Sequence, residues 1–279
     1  MGREVVPSAP VLDWGIPRLR DLPWRATRDP WRIVVSEFML QQTQAARVVP
    51  KWSAFVDMFP TPEACAAASL GDVLRMWHGL GYPRRARNLH ALAGEVVRRG
   101  DFPRELADLL SLPGVGPYTA RAILAFAFED DAAVVDTNIA RVLARVVGRR
   151  LGAAEAQRLA DASLPPGSAW SWNQCLMELG ALVCRPTPRC EECPLHDSCA
   201  WRGRGEDPAR GSAGVSRSQA PFDGSRRQAR GRLLGALVVG PVRRADSGLV
   251  VGHRSHEELV EELCREGLVV ADGDWLRLP

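Results

Sequence analysis

The sequence predicts an all-α domain over its first two hundred residues, followed by a small mixed α/β module. Three observations predict it. Up to about residue 200 no apolar segment alternates as a strand would, and the segments are punctuated by capping residues, proline or glycine at helix spacing. Between residues 202 and 230, Gly, Ser, Pro and Arg replace that periodicity, which marks a flexible basic linker. Beyond it, from Gly231 to Pro279, a helix pattern is followed by two short apolar runs around Ala271-Asp272-Gly273-Asp274. That order suggests a winged-helix-like unit of about fifty residues, marginal as an independent domain.

Residues 1–28 are Pro-rich and read as irregular. Asp29-Pro30 then supplies an N-cap and a first-position proline for a helix from Trp31 to about Val48, which Pro50 should stop. Helices follow over about 51–58, over 62–68 after Thr61, over 70–77 with Ser69 and Asp72 in capping-box spacing, and over 84–99 closed by Gly100. After the glycine-containing stretch Leu112–Ala120 come helices of about 117–128, 137–147 closed by Gly148, 153–163 stopped by Pro165-Pro166, and 170–183. In the terminal module Ser255 and Glu258 form a capping box for a helix of about 256–266, closed by Gly267.

With 279 residues, 46% of them hydrophobic, the chain has material for roughly two domains and a substantial core. No apolar run reaches the roughly 18 residues that span a bilayer, and the first residues lack the apolar core of a signal peptide, so the expectation is a cytoplasmic protein with no membrane partner. The net charge of +3 is too small to prove a nucleic-acid partner. Its make-up says more, because Lys51 is the only lysine and a Schiff-base mechanism would have one candidate.

Chemistry-bearing residues gather in a few places. In Leu112-Pro113-Gly114-Val115-Gly116-Pro117-Tyr118-Thr119-Ala120 the two glycines permit a tight turn with bare amides, and Pro117 opens the next helix. Such amides attract phosphate, although an ordinary interhelical turn reads the same way. Cys184, Cys190, Cys193 and Cys199, four of the seven cysteines, fall within sixteen residues and could wrap one metal centre, either zinc or an iron–sulfur cluster. The remaining three, Cys65, Cys175 and Cys264, read as small core residues.

Glu37 lies in the apolar run Ile33–Leu40, where partial burial would raise its pKa toward that of a general acid; an exposed helix glutamate is the alternative. Asp136 precedes Thr137-Asn138 as an N-cap, where a helix N-terminus would keep it ionised and able to steady a nearby cation. Trp24 with Arg25, the amide pair Gln41-Gln42, and Tyr82 suit contact with a base, while Arg84, Arg85 and Arg87 form a basic helix start that could meet phosphates or simply be solvated.

These motifs, in this order, resemble the helix-hairpin-helix DNA glycosylase superfamily and, within it, the adenine-DNA glycosylases of the MutY type. The resemblance runs from about residue 14 to residue 200. It rests on Pro23-Trp24-Arg25, Ser36–Gln44, Trp77–Tyr82 with Arg85–Leu89, Leu112–Ala120, Val135–Asn138, Asn173–Ala181 and the cysteine cluster, with Leu40-Gln41-Gln42-Thr43-Gln44 the most telling piece. It implies a helix-hairpin-helix glycosylase domain over residues 1–201, with double-stranded DNA carrying a mispaired base as partner and a monomeric enzyme associated with the nucleoid.

The resemblance also implies roles. Glu37 would protonate the adenine and position water, Asp136 would stabilise the sugar oxocarbenium ion, and Tyr118 and Asn138 would support the two carboxylates. Trp24 and Arg25 would lie near the extruded adenine. Gln42, beside Gln41, and Tyr82 would be wedged into the duplex next to the opposing damaged guanine, and Gln174 and Glu178 would line the pocket. Leu112 to Thr119, with Gly114, Val115 and Gly116, would grip the DNA backbone, and Arg87 would add a phosphate contact. The four cysteines match a 4Fe–4S ligand set. Related bifunctional enzymes carry a lysine near the start of the helix after the hairpin, where Tyr118 stands here, so a monofunctional glycosylase is expected.

Three departures stand out. The first cysteine gap is five residues rather than six, Pro83 replaces a second tyrosine after Gly79-Leu80-Gly81-Tyr82, and the usual C-terminal sensing domain is not recognisable. A thymine or uracil glycosylase acting opposite guanine, or a non-catalytic DNA-binding protein, are the competing readings. Glu37 and the Leu40–Gln44 run favour adenine over the first. Two carboxylates that would repel DNA argue against the second.

Overall fold

A computed structural model of the chain describes residues 5–216, 220–253 and 255–279. In chain order its helices are α1 (Ser8–Gly15), α2 (Pro30–Leu40), α3 (Ala45–Met58), α4 (Pro62–Ala67), α5 (Leu70–Trp77), α6 (Arg84–Arg99), α7 (Leu106–Leu110), α8 (Pro117–Ala127), α9 (Thr137–Val147), α10 (Ala153–Ser163), α11 (Ala169–Leu182), α12 (Arg226–Val239), α13 (Ser247–Val251) and α14 (His256–Arg265). The strands β1 (Val242–Arg243), β2 (Val270–Asp272) and β3 (Trp275–Arg277) all lie near the C-terminus. Among the described residues no helix is long and apolar enough to cross a membrane.

Local chemistry sets most boundaries. The Asp29 carboxylate accepts from the Arg32 amide to start α2, Thr61 does the same for Ala64 at α4, and Ser69 accepts from Asp72 at α5. Gly100 and Gly148, at φ of 87° and 74°, close α6 and α9.

Two compact units result. The first comprises Met1–Ile33, Arg104–Leu110 and Val115–Arg217. Its centre is α11, which packs on α1, α8 and α9, with Trp172, Leu176, Leu179, Ile123 and Ile139 buried there. Close approach is built in: a Cβ on Gly15 would stand 2.6 Å from Cys175 Cβ, so only glycine lets α1 reach α11.

The second unit comprises Val34–Pro103, Ser111–Gly114 and Ser218–Pro279. Here α5 packs on α3 and α6, and α4 on α6, around Phe55 and Trp77, whose rings meet edge to face at 6.2 Å. The terminal module runs α12–β1–α13–α14–β2–β3 and its antiparallel sheet has the order β1-β3-β2, a winged-helix-like arrangement. It is fastened to α5 and α6 by a Gly71 amide donating to the Pro279 carbonyl at 2.8 Å and by Glu266, which accepts from Arg84 at 2.6 Å and from Arg230. Burial works against the Glu266 carboxylate, but these two guanidiniums outweigh it and hold its pKa at about 2.

The structure corrects four expectations. The helix expected to run from Trp31 to Val48 ends at Leu40, and Gln42 takes φ of 55°, outside helical space. Pro50 lies inside α3 rather than ending a helix; the carbonyl of Ala46 that it leaves unpartnered belongs to an exposed residue that water can reach. Residues 8–15, read as irregular, are α1.

The expected linker over 202–230, of which 217–219 lie outside the described residues, also differs. Residues 226–230 open α12, with Ser225 capping the Gln228 amide, and 207–216 are tied back to the first unit. Asp207 pairs with Arg145, the Ala213 amide donates to the Leu151 carbonyl, and the Ser216 amide donates to Thr137 Oγ1. Composition marks these residues as polar, and main-chain bonds use polar segments as readily as apolar ones.

Candidate active site

Asp136 is placed by local sequence. It caps α9, with Oδ1 accepting from the Ile139 amide at 2.7 Å and Oδ2 from Asn138 Nδ2 at 2.9 Å. Burial pushes its carboxyl above the ordinary aspartate range, against the lowering effect of those two bonds. Burial thus works against the ionised form that the sequence leads one to expect of an N-cap.

The support continues outward. Asn138 Oδ1 accepts from Arg141 Nη2 at 2.8 Å, and the same guanidinium donates to the carbonyls of Gly180 and Cys184. The entry to Asp136 is fixed by Asn173, whose side chain accepts from the Val134 amide and donates to the Ala132 carbonyl. Asn173 lies in a motif noted from sequence, yet nothing local marked it as the residue that shapes this turn. A methyl on Gly180 would stand 2.5 Å from Asn138 Cβ and 2.9 Å from its Cα. Gly180→Ala should therefore cost about 1–3 kcal/mol, read as a lower thermal midpoint.

Trp24, Arg25, Gln174 and Glu178 share the first unit. Trp24 and Arg25 lie in a single 3-10 turn, and Trp24 is buried. Arg25 donates through Nε to Gln174 Oε1 at 2.8 Å and pairs through Nη1 with Glu178 at 2.7 Å. Glu178 is wholly buried and also accepts from Arg20 Nε at 2.9 Å. A buried carboxylate needs such partners, and burial in turn pulls the Arg25 guanidinium below its ordinary value. Arg20 was not foreseen, since one arginine in a Pro-rich segment carries no sequence signal.

The turn after α7 behaves as the glycines require. Gly114 has φ of 76°, and a Cβ there would strike Asn88 Cβ at 2.8 Å. Leu112, Val115 and Thr119 are buried, while Gly116 precedes Pro117 at the start of α8 with no side chain capping the helix. Tyr118, in the first turn of α8, is half-buried.

In the second unit Glu37 is 5% exposed, on the apolar face of α2. Gln41 and Gln42 fall in the turn after that helix rather than within it. Gln42 and Tyr82 both hold left-handed backbone, φ 55° and 48°, which a side chain rarely adopts without surrounding constraint. Arg85 supplies that constraint. Its guanidinium donates to the carbonyls of Phe38, Met39, Gln41, Leu80 and Gly81 at 2.5–3.0 Å and to Thr43 Oγ1 at 3.2 Å. Burial draws its pKa down to about 10, still charged at neutral pH. Arg85 is thus a buried cap, Arg84 pairs with Glu266, and Arg87 Nη1 donates to the Glu266 carbonyl. The start of α6 is thus tied to the turn after α2 and to Glu266, with the Arg84 side chain still exposed.

Cys184, Cys190, Cys193 and Cys199 line one cavity with Arg145 and Arg202. The five-residue first gap is closed by the Arg189 amide bonding to the Val183 carbonyl at 3.0 Å. Arg145 Nη1 donates to Cys184 Sγ, and the Arg202 amide to Cys199 Sγ, both at 3.4 Å. Cys65 and Cys175 are buried and Cys264 is half-buried, as core residues would be.

A bundle of short helices with a glycine turn between α7 and α8, a capping aspartate and a four-cysteine loop defines a class of DNA-repair protein. The family profile for "HhH-GPD superfamily base excision DNA repair protein" matches residues 35–163. The adenine DNA glycosylase of Mycobacterium tuberculosis (strain ATCC 25618 / H37Rv) is 44% identical over 287 aligned residues, covering 98% of this chain and 93% of that one. The human adenine DNA glycosylase is 41% identical over 216 residues, 70% of this chain and 39% of its own. Among solved structures, a thermostable thymine-DNA glycosylase superposes with a TM-score of 0.65 at 30% identity, over 70% of this chain and 94% of that one. The chain belongs to the adenine DNA glycosylase family within the helix-hairpin-helix superfamily.

Proposed function

We propose that this chain is a monofunctional DNA glycosylase that removes adenine mispaired with 8-oxoguanine or guanine, and that it acts as a monomer on duplex DNA of the nucleoid. The observation that carries the reading is the Asp136 carboxylate, with both oxygens held by Ile139 and Asn138 in a half-buried setting. An immobilised anion of this kind stabilises a cation that forms beside it.

The chemistry divides between two carboxyl groups, as in other glycoside cleavages. Glu37 gives its proton to the adenine, and the N-glycosidic bond breaks with its electron pair passing to the base. Asp136 stabilises the oxocarbenium ion left on the sugar. Water then adds to that carbon and returns a proton to Glu37, yielding free adenine and an abasic site. Tyr118 supports these groups without forming a covalent bond, and the uncapped amides at the start of α8 receive a backbone phosphate. Trp24, Arg25, Gln174 and Glu178 line the space for the flipped base, while Gln42 and Tyr82 fill the gap it leaves.

The donor set fits a 4Fe–4S cluster. Four thiols line one cavity, and two of the sulfurs accept N–H bonds of the sort that tune cluster ligands. When bound, the cluster would supply a cross-link that fixes the 184–199 loop. Purified protein is expected to be brown with a broad visible band, whereas stoichiometric zinc without colour would contradict this.

Single-turnover base release decides the substrate. Adenine opposite 8-oxoguanine and opposite guanine should be released. Release of thymine or uracil opposite guanine with adenine untouched would replace the reading, and a borohydride-trapped covalent complex would remove the monofunctional assignment.

A further inference from the structure

We infer that a groove in the second unit, between the 79–83 loop and helix α12, seats the sugar-phosphate backbone of the DNA strand opposite the target base. The inference rests on the proposed glycosylase function. Four arginines line this groove, Arg47 from α3 and Arg227, Arg230 and Arg232 from α12, of which Arg230 is paired with Glu262 and Glu266 beyond the groove; among the described residues no Asp or Glu lines it. Its floor is apolar, formed by Leu74, Trp77 and Leu234. The neighbouring cleft makes the contrast: there Arg84 and Arg230 are paired with Glu266 and Glu262, so two of its three arginines are offset by carboxylates.

A cationic trough with aromatic edges is suited to a polyanion that carries flat rings. Phe222 and Tyr82 supply the rings, and Arg227 links them, lying 5.9 Å from the Phe222 ring centroid with Nη1 donating to the Tyr82 hydroxyl at 3.5 Å. The groove is continuous with Gln42 and Tyr82, the two residues held in left-handed backbone and placed by family resemblance beside the opposing base. That continuity selects a DNA strand over an acidic peptide, and the opposite strand over the target strand. Arg84 pairs with Glu266 and Arg87 donates to the Glu266 carbonyl, so α12 adds the arginines on this side that have no carboxylate beside them in the groove.

The test uses the full chain and a duplex with a non-cleavable adenine analogue opposite 8-oxoguanine. The double variant Arg227→Ala/Arg232→Ala should bind about tenfold more weakly at moderate salt, and its plot of log affinity against log salt should be shallower by about two units. Arg158→Ala, an exposed arginine on α10, should leave the slope unchanged. Photo-crosslinks from 4-thiothymidine in the opposite strand should map to residues 222–234. An unchanged slope in a double variant that melts like the parent overturns the inference, as do crosslinks to this segment from the target strand alone, or competition by an acidic peptide that leaves duplex binding to the double variant intact. If the parent chain releases no adenine yet shows the arginine-dependent slope and the crosslinks, the adenine reading fails and the groove stands.

Discussion

Glu37→Gln is expected to slow single-turnover adenine release by about 10²–10⁴-fold while leaving duplex affinity near that of the parent. Glu37 is 5% exposed on an apolar helix face, so glutamine fits the same space but has no proton to give to the leaving base. Substrate binding does not need that proton, and the loss should fall on the rate of release rather than on affinity. Equal release by the variant and the parent would remove Glu37 from the acid role.

Asp136→Asn should be about as damaging, and its pH profile is the more telling measurement. The aspartate must be ionised to steady the oxocarbenium ion, so release should rise as pH increases through its pKa. Burial raises that pKa, which places the acid limb above the roughly 3.9 of an ordinary aspartate. The asparagine variant should lose both the rate and the limb. A parent profile with no acid limb at all would contradict the role, because protonating the carboxylate removes the charge that steadies the cation.

The two carboxylates were legible in the sequence for different reasons. Asp136 was visible because capping is local: the residue, its helix and Asn138 fall within three positions. Glu37 was visible as a charge in an apolar run, and the cysteines by spacing. What escaped notice depended on contacts between distant parts of the chain. Arg20 meets Glu178 across 158 positions, Asn173 fixes Val134 across 39, and Arg85 reaches Phe38 across 47. No window of sequence contains both partners.

Element boundaries failed where tertiary bonds overrode local pattern. The apolar run of α2 gave no reason to stop at Leu40, because the cap that receives its last carbonyls is Arg85, far along the chain. The segment 207–216 was polar enough to pass for a linker, yet its main chain bonds to the first unit at Leu151 and Thr137.

The bonding of Arg85 also bears on how this family can change. Five of its six acceptors are main-chain carbonyls and the sixth is the Thr43 hydroxyl, so the shape of the two loops it joins does not depend on what most of their side chains are. Those bonds hold the main chain beneath Gln42, Tyr82 and Pro83, and of these three side chains the Tyr82 ring also meets the Arg85 guanidinium, 5.4 Å from its centroid. Lysine could not replace Arg85, since a single ammonium offers three donors and no planar fork. The form of this loop pair thus rests on one buried side chain whose bonds run almost wholly to main chain.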